Sequence, residues 1–431
     1  MIINIITLGC SKNLVDSEYL IRQLENSGHK VYHNGEDVLP DILIINTCGF
    51  ILDAKEESID MVLSGAALKA SGKLKKLFVI GCLSERYSDE LSNEIPEVDG
   101  FFGVWDQKQI IEAIGADYYP MLVNQRTITT PSHYAFLKIS EGCNRQCAFC
   151  AIPGIRGKQQ SKHPDDIIEE ANNLANAGVK EIILIAQDLT SYGTDLQINN
   201  GLHDLLKLLI QVEGIEWIRL HYAYPDGFSN EVIQLMADEP KICNYLDIPI
   251  QHINSKVLSN MKRGHNREIL EKLLFDLRNT IENVAIRTTL LTGFPGETEE
   301  AFEELYTFIE RFRFDRLGVF PYSHEENTPA FRMNDDVPEE IKQERVNRLM
   351  ELQQQISLAI NQQKTGKIFR VIIDREENDH YIGRTQYDSP EVDNEVLIKK
   401  DFSLIPGRFY DIYIEKAAEF DLFGSPLSCP M

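Results

Sequence analysis

Glu141–Gly157 reads EGCNRQCAFCAIPGIRG. It carries Cys143, Cys147 and Cys150, three thiols separated by three residues and then by two. Three neighbouring thiols do not complete a tetrahedral structural zinc site, which needs a fourth ligand. They do suffice for three irons of a 4Fe–4S cube, whose irons take Cys thiolates, and they leave the fourth iron open. An open iron beside an electron reservoir is a catalytic arrangement. Ferredoxin runs, by contrast, provide one Cys for every iron. The alternative is a zinc loop with a distant fourth ligand such as His133 or His163.

The flanks of this loop predict a strand at Ala135–Ile139 and a helix at Pro164–Asn176, opened by Pro164-Asp165-Asp166. Five more apolar runs follow, at Glu181–Ala186, Trp217–His221, Tyr245–Ile248, Val284–Leu290 and Leu317–Phe320, with amphipathic helices between them. Six βα units predict an open, three-quarter barrel with its site at the carboxyl ends of the strands. The Cys loop follows the first strand, as that arrangement requires. Polar loops at the same station single out Gln187, Asp188, Gln251 and Gly293 as candidate cofactor-binding residues.

Upstream, the runs Ile2–Leu8, Asp41–Thr47 and Leu77–Ile80 alternate with helical segments and predict a parallel α/β sheet. Cys10, Cys48 and Cys82 each fall one or two residues past such a strand and beside a Gly. Strand ends of an open parallel sheet lie along one ligand-binding edge. These distant thiols are therefore candidate ligands of a second three-thiolate cluster. A lone buried thiol is the bland alternative for any one of them. Cys243 and Cys429 match neither pattern and are expected to be ordinary thiols.

Downstream, Val337–Lys364 predicts one amphipathic helix, and Lys367–Leu427 a small antiparallel barrel of about five short strands. The domain plan is residues 1–120, 132–335, 336–364 and 365–431. From Lys364 onward nine Lys/Arg face thirteen Asp/Glu. An RNA-holding barrel should be basic. An acidic one suits a basic protein, with Asp374, Glu376, Glu377, Asp379, Glu391, Asp393 and Glu395 as its docking face.

The whole chain of 431 residues has a net charge of −24, which disfavours phosphate backbones. No apolar run approaches a membrane span. MIINIITLGCSKN lacks a basic n-region and cleavage site, so no signal peptide is expected. Eight Cys in a chain of this length point to metal ligation in a reducing cytoplasm rather than to disulfides.

Together the Cys143/Cys147/Cys150 spacing, the three N-terminal cysteines and the terminal barrel resemble the methylthiotransferase branch of the radical S-adenosylmethionine (radical SAM) enzymes, with a TRAM-type barrel. Phe149 fits the family's aromatic before the third Cys. Where a generic motif after the second strand has Gly-Gly-Glu, this chain has Gln187-Asp188. The resemblance implies two 4Fe–4S clusters, and SAM as both radical source and methyl donor. Two subfamilies compete. MiaB-like enzymes modify adenosine in tRNA, and RimO-like enzymes modify the β-carbon of an aspartate in small-subunit ribosomal protein S-twelve. TLGCSKNLVDSE, LHYAYPDGF and GRTQYDSPEVDNEV resemble the second. A non-catalytic iron–sulfur electron carrier is the rival from another class. The donors of sulfur and electrons are not implied.

Overall fold

The computed structural model describes residues 1–427, so Cys429 lies outside the described residues. The N-terminal sheet contains β1 (Ile2–Thr7), β2 (Lys30–His33), β3 (Ile42–Thr47), β4 (Lys76–Gly81) and β5 (Gly100–Phe102). Its order is β2-β1-β3-β4-β5, parallel throughout. Every residue of β3 is buried, because helices cover both faces of a parallel sheet. Edge strands β2 and β5 were not expected. Neither has a fully buried residue, so neither leaves a continuous apolar run.

Helices α1 (Ser11–Asn26), α2 (Leu52–Ala70) and α3 (Cys82–Glu94) follow β1, β3 and β4. Strand order reverses between β1 and β3, which opens a crevice at their carboxyl ends. Cys10 and Cys48 flank it. Two glycines draw the thiol turns together. A Cβ on Gly9 (φ +87) would stand 2.7 Å from Cys48 Cβ, and one on Gly49 would stand 2.7 Å from Leu83 Cα, beside Cys82.

The central sheet contains β6 (Tyr134–Lys138), β7 (Glu181–Ile185), β8 (Trp217–Leu220), β9 (Ile242–Asp247), β10 (Ala285–Thr292) and β11 (Arg316–Pro321). It is parallel, in chain order and open. Ile182, Leu184, Ile218 and Leu246 face the surrounding helices, where Leu349, Leu352 and Ile356 of the long helix Glu339–Gln362 join the same core.

The N-terminal domain holds both edges of this open sheet. On one side, Val15, Leu14 and Tyr19 of α1 pack on Tyr134, Phe136, Ile183 and Ile185. Buried Arg126 pairs there with Glu18 and, at 2.8 Å, with Glu170. On the other side, Lys55 and Arg86 reach Glu325, beyond β11, at 2.8 and 3.4 Å.

The C-terminal domain is a closed barrel of β12 (Ile368–Glu377), β13 (His380–Thr385), β14 (Glu395–Lys399), β15 (Phe409–Ala417) and β16 (Asp421–Pro426). Its pairings are antiparallel except β14 with β16, which is parallel. It docks beneath the central sheet through buried polar pairs. Arg384 meets Glu181 at 2.6 Å, Arg287 meets Asp393 at 2.6 Å, and Arg316 donates to Asp388 at 3.1 Å.

This corrects part of the expected acidic docking face: Asp374, Glu391 and Asp393 are taken up in contacts with the central domain, while Glu376, Glu377 and Asp379 stay exposed. Asp374 is held by His133 and Arg384, Asp393 by Arg287 and the Tyr245 hydroxyl, and Glu391 by the Tyr134 hydroxyl. Glu376 pairs with Lys400, and Glu377 and Glu395 pair with Arg375. A charge count within one segment cannot show cations supplied by strands of another.

Candidate active site

The carboxyl ends of the two parallel sheets face one another across a cavity of about 360 Å³. All six thiols line it: Cys10, Cys48 and Cys82 from one side, Cys143, Cys147 and Cys150 from the other. Their placement follows from local structure. Cys10 is the N-cap of α1 and Cys82 the first residue of α3. The Cys143–Cys150 loop is closed at its base by pairing of Ser140-Glu141 with Gln160-Ser161. At its middle, Ala148 donates to the Met261 carbonyl and accepts from Ala330 N, both at 2.8 Å. Phe149 lies edge-on to Phe294, centroids 6.5 Å apart.

The donor set fits two iron–sulfur cubes. A cube asks its thiolates to bind different irons and so to stand apart. Among the described residues, no three Cys, His, Asp or Glu side chains gather around a single ion. The two histidines considered for zinc are engaged elsewhere. His133 is buried against Asp374 beneath the sheet, and exposed His163 caps the helix Pro164–Asn176.

A guanidinium and a backbone amide stand beside the sulfurs. Cys147 Sγ accepts from Arg263 Nη1 at 3.4 Å, and Cys143 Sγ from Arg145 N at 3.4 Å. Burial pushes the Cys82 and Cys150 thiols up to about 12 and also raises Cys48 and Cys143. Burial would raise Cys10 too, but the charges of Lys12 and Arg156 and nearby backbone donors bring it below the ordinary thiol range. Ligation therefore has to displace protons from buried thiols.

Of the candidate cofactor-binding residues, Gln187, Asp188 and Gln251 line the cavity, and Gly293 does not. The Asp188 carboxylate is already occupied, by Arg145 at 2.9 Å and by Thr190 N at 2.9 Å. Gln187 donates to Glu141, and its own side-chain oxygen is buried and, among the described residues, without a partner. Gln251 sits at φ 68. Gly293 serves packing, since a Cβ there would stand 2.2 Å from Lys342 Cγ of the long helix.

Sequence reasoning missed Lys12, Arg156, Tyr222, Tyr224 and Arg263, all in the lining. Arg156 is 1% exposed and bonds Asn13 at 2.6 Å and Glu141 at 2.9 Å, tying the two cysteine loops together. Tyr224 lies between the guanidiniums of Arg145 and Arg263, each 4.0 Å from its ring centre. Lys12 and both tyrosines lie within the motifs TLGCSKN and LHYAYPDGF, but nothing in residue type alone marks them.

Three family models match the chain: the Radical SAM superfamily over residues 137–309, the Uncharacterized protein family UPF0004 over 2–103, and the TRAM domain over 365–427. The chain is 53% identical over 427 residues to the ribosomal protein uS12 methylthiotransferase RimO of Christiangramia forsetii, covering 99% of this chain and 94% of that one. It is 54% identical over 425 residues to RimO of Flavobacterium psychrophilum, covering 98% of each. Among solved structures it resembles the radical S-adenosylmethionine methyltransferase TsrM from Kitasatospora setae, with a TM-score of 0.56 and 13% identity over 85% of this chain and 78% of that one. That likeness shows the fold alone. At about half identity along essentially its whole length, the chain belongs to the RimO family of ribosomal protein uS12 methylthiotransferases.

Proposed function

We propose that this protein is a transferase that replaces a hydrogen on the β-carbon of an aspartate in ribosomal protein uS12 with a methylthio group. The carrying observation is that two thiol triads open onto one cavity. Cys143, Cys147 and Cys150 would hold one 4Fe–4S cluster, and Cys10, Cys48 and Cys82 a second. When bound, the first cluster supplies the electron that cleaves SAM to a hydrogen-abstracting radical, and the second offers an iron on which sulfur can be carried.

The chain's own residues do the rest. The cavity walls exclude water from a species that would otherwise react indiscriminately. Gln187 and Gln251 are suited to SAM, having polar groups that face the cavity; Asp188, paired with Arg145, would position rather than contact it. Arg156 holds the two loops in register. General acid–base groups alone cannot activate an unactivated C–H bond, so the radical is required. A simple electron carrier would need no substrate cavity. We place the reaction in the cytoplasm, where thiols stay reduced. No helix among the described residues is long and apolar enough to cross a membrane.

The test is anaerobic iron and sulfide analysis, then incubation with SAM, reductant and isolated uS12. Mass spectrometry should locate a methylthio adduct on an aspartate. A methylthio adduct on tRNA adenosine, with uS12 untouched, would move the chain to the tRNA-modifying reading.

A further inference from the structure

Five charged side chains line the cavity: Lys12, Arg145, Arg156, Arg263 and Asp188. Three of them, Arg145, Arg156 and Asp188, sit in ion pairs. Arg145 pairs with Asp188 and Asp226, and Arg156 with Asp16 and Glu141. Arg263 donates to the Pro249 carbonyl at 2.7 Å and to Cys147 Sγ at 3.4 Å. Lys12 differs. It is 8% exposed, and among the described residues its ammonium meets no carboxylate within 4.0 Å and donates no hydrogen bond. The Tyr222 ring lies beneath it, with Nζ 3.3 Å from the centroid, and its charge also reaches the Cys10 thiol.

The ammonium opens onto the cavity without a carboxylate, and a ring face supplies only part of what an anion would. Tyr222 itself holds a strained left-handed conformation, at φ 65, which keeps the ring under the ammonium. Lys12 stands on the first turn of α1, two residues from Cys10, and faces the wall that carries Cys143, Cys147 and Cys150. Among the described residues Arg263 likewise meets no carboxylate within 4.0 Å, but a carbonyl and a thiol sulfur hold its guanidinium. Of the lining cations Lys12 alone has neither carboxylate nor hydrogen bond among the described residues, and it opens onto the cavity that the two thiol triads share.

We infer that Lys12 is the specificity-determining residue that receives the side-chain carboxylate of the substrate aspartate. The inference rests on the function proposed above and adds how an acidic side chain is chosen. The carboxyl carbon lies about 1.5 Å from the reacting β-carbon, the length of one C–C bond. Holding that carboxylate therefore fixes the C–H to be broken, which is the orientation an abstraction step needs. A neutral amide or a nucleobase can accept a hydrogen bond from the ammonium but brings no countercharge, and would be held more weakly for it.

The experiment uses holoenzyme with both clusters and two forms of intact uS12: the natural one, and one in which the aspartate that acquires the adduct is changed to Asn. Binding of each is measured anaerobically to wild type, Lys12→Gln and Lys12→Arg, with iron content as the control for folding and loading. Wild type should bind the Asp form about 10- to 100-fold more tightly than the Asn form, as for a charge-assisted hydrogen bond. Lys12→Gln should bind both forms alike, and Lys12→Arg should restore part of the discrimination. Equal binding of both forms by wild type overturns the inference, and so does undiminished discrimination in Lys12→Gln. If Lys12→Gln fails to load iron, the Lys12→Arg result decides: full loading with no discrimination also overturns it. Wild type that modifies uS12 while any of these results holds leaves the proposed function standing. Wild type that never modifies uS12 removes both.

Discussion

Arg384 of the C-terminal barrel and Glu181 of the central sheet meet at 2.6 Å with both side chains almost wholly withdrawn from solvent. Arg384 also holds Asp374 at 2.8 Å, and Glu181 also accepts from Arg219 at 2.7 Å. The two domains are thus joined by charges that have no access to water as a substitute partner. Breaking such a pair from one side is far worse than never having had it. Arg384→Ala should therefore cost about 3–5 kcal/mol. The thermal transition should fall, and limited proteolysis should cut at the Gly366 linker first. Unchanged melting would show that the barrel is held by its apolar contacts alone.

The same network sets an acid limit. Burial tends to raise Glu181, Asp374 and Asp388, but Arg384, Arg219 and Arg316 overcome it and hold all three below the ordinary carboxylate range. A carboxylate with a depressed folded value contributes stability above its unfolded pKa, about 3.9 for Asp and 4.3 for Glu. That contribution is lost as pH falls through the folded value. The part of barrel attachment that rests on these three carboxylates should weaken steeply below about 4. Asp388→Asn, already lacking one ionisation, should show a shallower acid limb in a pH series of unfolding midpoints.

Cys143→Ala, Cys147→Ala and Cys150→Ala should each abolish formation of 5′-deoxyadenosine from SAM, because a cube loses an iron ligand. Cys243→Ala is the control. Its thiol is fully buried among Trp217, Tyr245 and Ala285, away from the cavity. It should keep full iron content while losing about 1 kcal/mol of stability. Chromatographic assay of deoxyadenosine together with iron analysis separates the two classes.

Substitutions on the opposite wall should have a different signature. Cys10→Ala, Cys48→Ala or Cys82→Ala should lose about half the iron and all methylthio transfer, yet continue to cleave SAM. Methylthiolated product from any one of them would mean that its thiol is only a core residue.

The six cysteines were legible because spacing and topological station are both sequence properties. The alternating αβ pattern was legible because a parallel sheet buries whole strands, as in β3 and β7. The ion network beneath the sheet was not. Arg219, Arg287 and Arg316 sit within strands that read as apolar runs, and their partners in the barrel, the Gln386 carbonyl, Asp393 and Asp388, lie 167, 106 and 72 residues further on. Local patterning carries no information about such pairs. The acidic loop thus looked like a free surface when much of it forms a joint between domains. Charge reversal at Asp393 would unseat the barrel and would be no probe of partner binding.

The lock between Lys55 and Glu325 spans 270 residues of chain. During synthesis at about 5–20 residues per second, α2 emerges roughly 15–55 s before the residue that fastens it. Within that interval the facing Cys143–Cys150 loop has emerged, but the contact that fastens α2 to the far edge of the central sheet has not. The two facing walls are therefore fastened at this side only after the last strand of the central sheet has left the ribosome.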